Sequence, residues 1–173
     1  LTAFELMPRI GLDLQLRHAV LARDPSASAS PWYALAEISV PRGGVAGVLE
    51  QVLADAFEAG IVTDAALADS EDARLTMWAA REQMSDVQTR EGASIKHDIS
   101  VPVSAVPTLI AEGTAAAEAL VPGIRAVPFG HLGDGNVHFN FSQPLGDDPR
   151  AFMAGAGPVH DAIYDIVGRL GGS

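Results

Sequence analysis

No cysteine occurs in these 173 residues, which removes disulfides, thiolate catalysis, zinc fingers and iron–sulfur clusters together. Lysine is almost missing too. Lys96 is the single one among 11 basic residues, set against 22 acidic ones, for a formal net charge of −11. A field of that sign repels phosphate backbones and anionic lipid, and so argues against a nucleic-acid or membrane-surface role. No apolar run approaches the roughly 20 residues of a membrane span, and no signal-peptide pattern opens the chain. The expectation is a soluble, cytoplasmic protein. With 48% hydrophobic residues there is enough apolar surface for one domain with its own core. The chain opens on Leu1 and closes on Gly171-Gly172-Ser173, and we expect it to be a piece of a longer protein.

Periodicity gives a coarse order of elements. Residues 1–21 are mostly helix-compatible, with Phe4, Met7, Leu14 and His18 spaced for one face, although Pro8 and Gly11 interrupt them. A Ser/Pro-rich loop over 23–31 precedes an apolar run, 32–40, that reads as a buried strand. Residues 45–59 have a helical apolar stripe stopped by Gly60, and 63–68 read as a short strand. Ser70 is a good N-cap for a helix to about residue 90, with Glu71 and Asp72 where the dipole favours anions. Residues 95–101 alternate as a strand, Ser104 is expected to cap a helix that continues to about residue 120, and two strands over 125–132 and 137–142 flank Gly133-Asp134-Gly135-Asn136. Asp148 and Pro149 open a last helix. The tight hairpin and modest strand count point to an α+β fold, ferredoxin-like with a duplicated unit, whose antiparallel or mixed sheet carries helices on one face.

The hairpin is the most informative stretch. An Asp-Gly pair between β-type runs signals a type I′ turn, which needs positive φ at both central residues. A turn centred on Asp134 and Gly135 pairs Leu132 with Val137 and His131 with His138. Opposed residues have Cβ atoms about 4.5–5.5 Å apart, so two imidazoles there could share a cation at about 2.0–2.1 Å. Asn140 falls on the same face, while Val137, Phe139 and Phe141 point into the core. By themselves two histidines are an incomplete metal site, and an ordinary hairpin explains them as well.

The run Gly130-His131-Leu132-Gly133-Asp134-Gly135-Asn136-Val137-His138 closely resembles the His-x-Gly-Asp-Gly-Asn-x-His signature of the C-terminal domain of FAD-linked 2-hydroxyacid dehydrogenases. That family includes D-lactate, D-2-hydroxyglutarate and glycolate oxidising flavoenzymes. Three more segments look like family segments in the family's order: Phe4-Glu5-Leu6-Met7, Trp78-x-x-Arg81-Glu82, and Ser94 through Pro102 (SIKHDISVP). The resemblance covers essentially the whole chain.

It implies that His131 and His138 are ligands of a divalent metal, with zinc expected. It also implies that Asn140 is a catalytic residue lining the active site, and that Arg81 and Lys96 bind substrate carboxylate. The chemistry suits each role, since Arg offers a planar fork and a solitary lysine a second anionic contact. Alone, Arg81 would read as half of a surface ion pair on its helix, and Lys96 as an exposed strand residue. His97, on the opposite face from Lys96, reads as structural. The family's Glu-His-Gly-x-Gly motif, whose Glu would be a third ligand and whose His a candidate base, is absent from the chain. The resemblance further implies a separate N-terminal FAD domain and a small 2-hydroxy acid as substrate. Arg81 and Lys96 together suit a second, distal carboxylate, which favours D-2-hydroxyglutarate over D-lactate, and a homodimer is one expected assembly.

Three rival readings are weaker or different in class. Arg42-Gly43-Gly44-Val45-Ala46-Gly47 lies between a strand and a helix, with Asp64 about 20 residues on, but its glycines are wrongly spaced for a dinucleotide fingerprint. A calcium loop around Asp134 lacks the alternating acidic ligands. A non-catalytic ferredoxin-like ligand-binding or dimerisation module would need neither metal nor His131.

Overall fold

Pro8 divides the first segment. A residue preceding proline is driven to extended backbone, and the computed structural model, which describes residues 1–39 and 45–173, has a strand before the proline and a helix after it. Strand β1 spans Ala3–Pro8 and helix α1 spans Arg9–Arg17. The helix expected over residues 1–21 is therefore half strand. β1 alternates as a strand should, burying Glu5 and Met7 on one face. Strand β2, Trp32–Glu37, pairs antiparallel with β1 and forms an edge of the sheet. Its alternating exposure, with Trp32 partly in solvent, makes it half-buried rather than the buried strand expected. The end of that expected strand at Val40, and residues 42–44 of the dinucleotide reading, lie outside the described residues.

Helix α2, Val45–Glu58, follows. Residues 63–68 form no strand. Ser70 does cap helix α3, Glu71–Glu82, its hydroxyl accepting from the Ala73 amide. The expected single helix to residue 90 breaks at Gln83 into α3, α4 (Met84–Gln88) and a 3-10 turn over Thr89–Glu91. Strand β3, Ser94–Ile95, and strand β4, Asp98–Ser100, run in one register along the same partner strand. Helix α5, Val106–Leu120, starts after a 3-10 turn holding Ser104, so Ser104 is not its cap. Strands β5, Arg125–His131, and β6, Asn136–Ser142, form the hairpin. Asp148 caps α6, Pro149–Ala154, and Gly155 separates it from α7, Ala156–Arg169.

All strand pairs are antiparallel, in the order β2-β1-β5-β6-β3, with β4 also on β6. The fold is α+β, as expected. The helices, however, cover both faces of the sheet rather than one. On the first face Val137, Phe139 and Phe141 pack with Leu109 of α5 and with Val159 and Ile163 of α7. Phe139 and Phe141 are wholly buried, each stabilising the fold by about 1.5–3 kcal/mol on area grounds. On the second face Met7, Val127 and Phe129 pack against Leu12 of α1, Ala80 of α3 and Met84 of α4. The sheet is thus a wall whose two sides have separate cores, and the second side meets α3 just where Arg81 emerges.

Candidate active site

The β5–β6 register differs from the sequence expectation. His131 faces Asn136, Gly130 faces Val137, and Phe129 faces His138. The loop has four residues, 132–135, closed by the Gly135 amide donating to the His131 carbonyl at 3.1 Å. Only Gly135 in this loop takes positive φ, at 76°, so the two-residue type I′ turn does not form. The Asp134 carboxylate instead accepts from the Asn136 amide at 3.1 Å. His131 and His138 are therefore diagonal, not directly opposed. A displacement of two residues preserves the face, and their ring centroids lie 6.0 Å apart.

Around them the second face of the sheet collects the other expected residues. Arg81, at the end of α3, is 6% exposed, so it is not the surface ion-pair residue its helix position alone would suggest. Its Nε donates to Glu5 Oε2 at 2.8 Å, and its guanidinium sits 4.9 Å above the centre of the Phe129 ring. Among the described residues its two terminal nitrogens have no hydrogen-bond partner. Phe129 also packs beside His138, with ring centroids 5.1 Å apart. The register 94↔142 and 98↔138 places Lys96 beside Asn140 across the β6 edge. Lys96 is exposed and its Nζ donates to Ser85 Oγ of α4 at 3.1 Å. Asn140 is buried on the same face, and among the described residues its amide has no hydrogen-bond partner.

Two carboxylates complete the ring of groups, and neither stands out in the sequence as a site residue. Glu5 Oε1 lies 2.6 Å from His131 Nδ1, and Asp98 Oδ1 lies 3.6 Å from His138 Nδ1. The signal for Glu5 is a single acid at an inward position of the otherwise apolar Phe-Glu-Leu-Met run. Burial pushes the His138 imidazole below its ordinary value, Arg81 and His131 act in the same sense, and Asp98 and Glu5 oppose them. The net shift favours the neutral ring, the form in which an imidazole can ligate a cation.

The donor set fits part of a cation site. Two imidazoles on one tetrahedral ion have centroids roughly 5 Å apart, close to the separation here. Among the described residues no three His, Cys, Asp or Glu side chains converge on one point, so a third protein ligand is not in this set. His97 stands apart, as expected. It is buried on the first face, where Nδ1 meets the Phe139 carbonyl at 2.8 Å and Nε2 meets His160 Nδ1 at 2.9 Å. A carbonyl can only accept, so Nδ1 of His97 carries the proton and Nε2 is the acceptor.

A groove of about 940 Å³ lies on that first side, against α5, lined by Leu6, Val106, Ile110 and Leu132. Among the described residues its walls are mostly apolar and carry no Lys, Arg or His.

The sequence profile described as "FAD linked oxidases, C-terminal domain" matches residues 1–173. A D-2-hydroxyglutarate dehydrogenase of Xanthomonas citri pv. viticola is 29% identical over all of this chain and 36% of its own length. One of Stutzerimonas stutzeri is 32% identical over all of this chain and 37% of its own length. The mitochondrial D-2-hydroxyglutarate dehydrogenase of Rattus norvegicus is 34% identical over 84% of this chain and 28% of its own length. The chain therefore spans between about a quarter and little more than a third of the length of these curated relatives.

Proposed function

Because the chain belongs to the C-terminal domain family of FAD-linked oxidases, we propose that it is the substrate- and metal-binding domain of an FAD-dependent dehydrogenase. The reaction is oxidation of a D-2-hydroxy acid to the 2-oxo acid, and the acid we propose is D-2-hydroxyglutarate. The observation that carries the reading is the convergence of Arg81, Lys96, His131, His138 and Asn140 on one face of one sheet.

Each residue has a separable task. Arg81 presents its two free terminal nitrogens to a carboxylate as a planar fork, while Glu5 fixes the third nitrogen. Lys96 supplies a second positive point at the β6 edge, which suits the distal carboxylate of a diacid. Asn140, whose side-chain amide has no partner among the described residues, would orient the substrate hydroxyl or carboxylate. His131 and His138 would hold a divalent metal, zinc by our reading, whose contribution is charge stabilisation at the hydroxyl and carboxylate oxygens. FAD, which we place mainly on a separate domain of the same protein, would supply the hydride-accepting chemistry when bound, and the residues named above would hold the hydroxy acid in place for it. The residues described here bind and orient; the redox chemistry belongs to the cofactor.

The test is made on the full-length protein. It should contain flavin and about one zinc per site, and should turn over D-2-hydroxyglutarate with a much higher kcat/KM than D-lactate. Alanine at either His131 or His138 should remove metal and turnover together while the protein stays folded on Phe139 and Phe141. A folded, flavin-loaded protein that binds no divalent metal would refute the metal reading, and equal kcat/KM for the two acids would refute the diacid reading.

A further inference from the structure

We infer that Glu5 is a positioning residue serving both halves of the site at once, one carboxylate oxygen fixing the metal-ligand face of His131 and the other fixing the fork of Arg81. The inference rests on the reading of His131 and Arg81 given above and names what holds those two side chains in place.

Glu5 is 3% exposed, at an inward position of β1 directly paired with His131 of β5. Its Oε1 lies 2.6 Å from His131 Nδ1, and its Oε2 accepts from Arg81 Nε at 2.8 Å. A carboxylate has only acceptors to offer, so whenever the His131 ring carries a single proton that proton sits on Nδ1 and the lone pair on Nε2 is left for a cation. Histidines that ligate metals are commonly set in this way, by a carboxylate on the other ring nitrogen. Arg81 is fixed by the same logic. With Nε engaged by Glu5 and Cζ 4.9 Å from the centre of the Phe129 ring, the guanidinium is held at two points and its terminal nitrogens form the edge of the fork left for a ligand. A single side chain on β1 thereby couples an element from the beginning of the chain to the hairpin and to α3.

Glutamine at this position is nearly isosteric but has one acceptor and one donor. If its oxygen turns to Arg81, its NH2 meets His131 Nδ1 and forces the ring proton onto Nε2, the atom a metal needs. If its oxygen turns to His131, Arg81 Nε faces a donor. Either arrangement breaks one of the two alignments.

The experiment compares wild type, Glu5→Gln and His131→Ala in the metal-stripped full-length protein, with zinc affinity measured by competition against a chromophoric chelator. Glu5→Gln should weaken zinc about 10–100-fold and raise KM for the hydroxy acid several-fold even when zinc is restored to saturation. Zinc affinity within twofold of wild type in a folded Glu5→Gln protein overturns the inference and leaves the metal reading standing. A wild type that binds no zinc, as weakly as His131→Ala, overturns the metal reading and this inference with it. Should Glu5→Gln fail to fold, the 15N shifts of the His131 ring in metal-free wild type decide: protonated Nδ1 supports the inference, and protonated Nε2 overturns it.

Discussion

Arg81 is where binding and stability are most easily confused, and the structure separates them. Replacing it with alanine removes the fork that would grip a substrate carboxylate. A charge-assisted bidentate contact contributes about 1.5–3 kcal/mol, so KM should rise roughly 10- to 150-fold. The same substitution also strips a buried carboxylate of its arginine and empties the space above Phe129. Removing one partner of a buried pair costs about 3–5 kcal/mol, and the lower figure applies because Glu5 keeps His131. Arg81→Ala should therefore lower the unfolding free energy by about 3 kcal/mol. Arg81→Lys resolves the two effects. One ammonium can satisfy Glu5 but cannot also present a planar pair of donors, so most of the stability should return while KM stays about tenfold raised. Denaturant unfolding and steady-state kinetics on the three proteins measure both quantities. An Arg81→Lys protein with wild-type KM would show that Arg81 only props up Glu5, and the substrate role would be wrong.

Lys96→Ala should raise KM for D-2-hydroxyglutarate far more than for D-lactate, because only the diacid has a distal group to lose; equal losses, read by steady-state kinetics, would remove Lys96 from the distal subsite. Glu91 gathers Arg17, His18 and Arg125. Burial opposes its ionisation, but those three partners outweigh burial and hold the carboxyl at about 2. A folded value below the ordinary one means that this contribution is complete above about pH 4.5 and is lost as pH falls toward 2, so Glu91→Gln should cost about 2–3 kcal/mol at pH 7 and almost nothing near pH 2 in acid-unfolding curves. Gly135→Ala should destabilise the hairpin by about 1–3 kcal/mol in thermal unfolding, since the position has φ of 76° and a Cβ there would collide with the Val101 carbonyl. A Gly135→Ala protein as stable as wild type would mean the loop can re-form without that close approach.

The parts of this fold that could be read from the sequence are those where local chemistry and tertiary packing agree. Ser70 and Asp148 cap their helices because a short polar side chain there has an orphan amide to accept from. The strands flanking the Asp-Gly pair were legible for the same reason. What failed were elements whose state is decided by a distant partner. Phe-Glu-Leu-Met has apolar spacing that a helix would accept, yet it is a strand because Pro8 and the open edge of β5 claim it. Residues 63–68 have strand-compatible composition and no ladder to join. Helices on both faces could not be anticipated from strands whose alternation leaves one side polar. That polar side is partly covered by α1, α3 and α4, and Arg81 is buried by that cover.

The hairpin shows why the site was nonetheless legible when its register was not. Side chains alternate with a period of two, so a register error of one residue sends every group to the wrong face, whereas an error of two leaves every face intact. The Asp-Gly pair suggests a two-residue turn, and the structure has a four-residue loop because Asp134 commits its carboxylate to the Asn136 amide instead of adopting positive φ. The histidines are diagonal rather than opposite, yet still share a face with Asn140. What the register does change is the neighbour of His138, which is Phe129 rather than His131. That exchange gives His138 and the Arg81 guanidinium a shared aromatic neighbour. It turns two separate motifs, a helix arginine and a hairpin histidine, into one packed unit. Glu5 closes the same unit from the other side, and the sequence spacing of these residues, from position 5 to position 138, carries no trace of it.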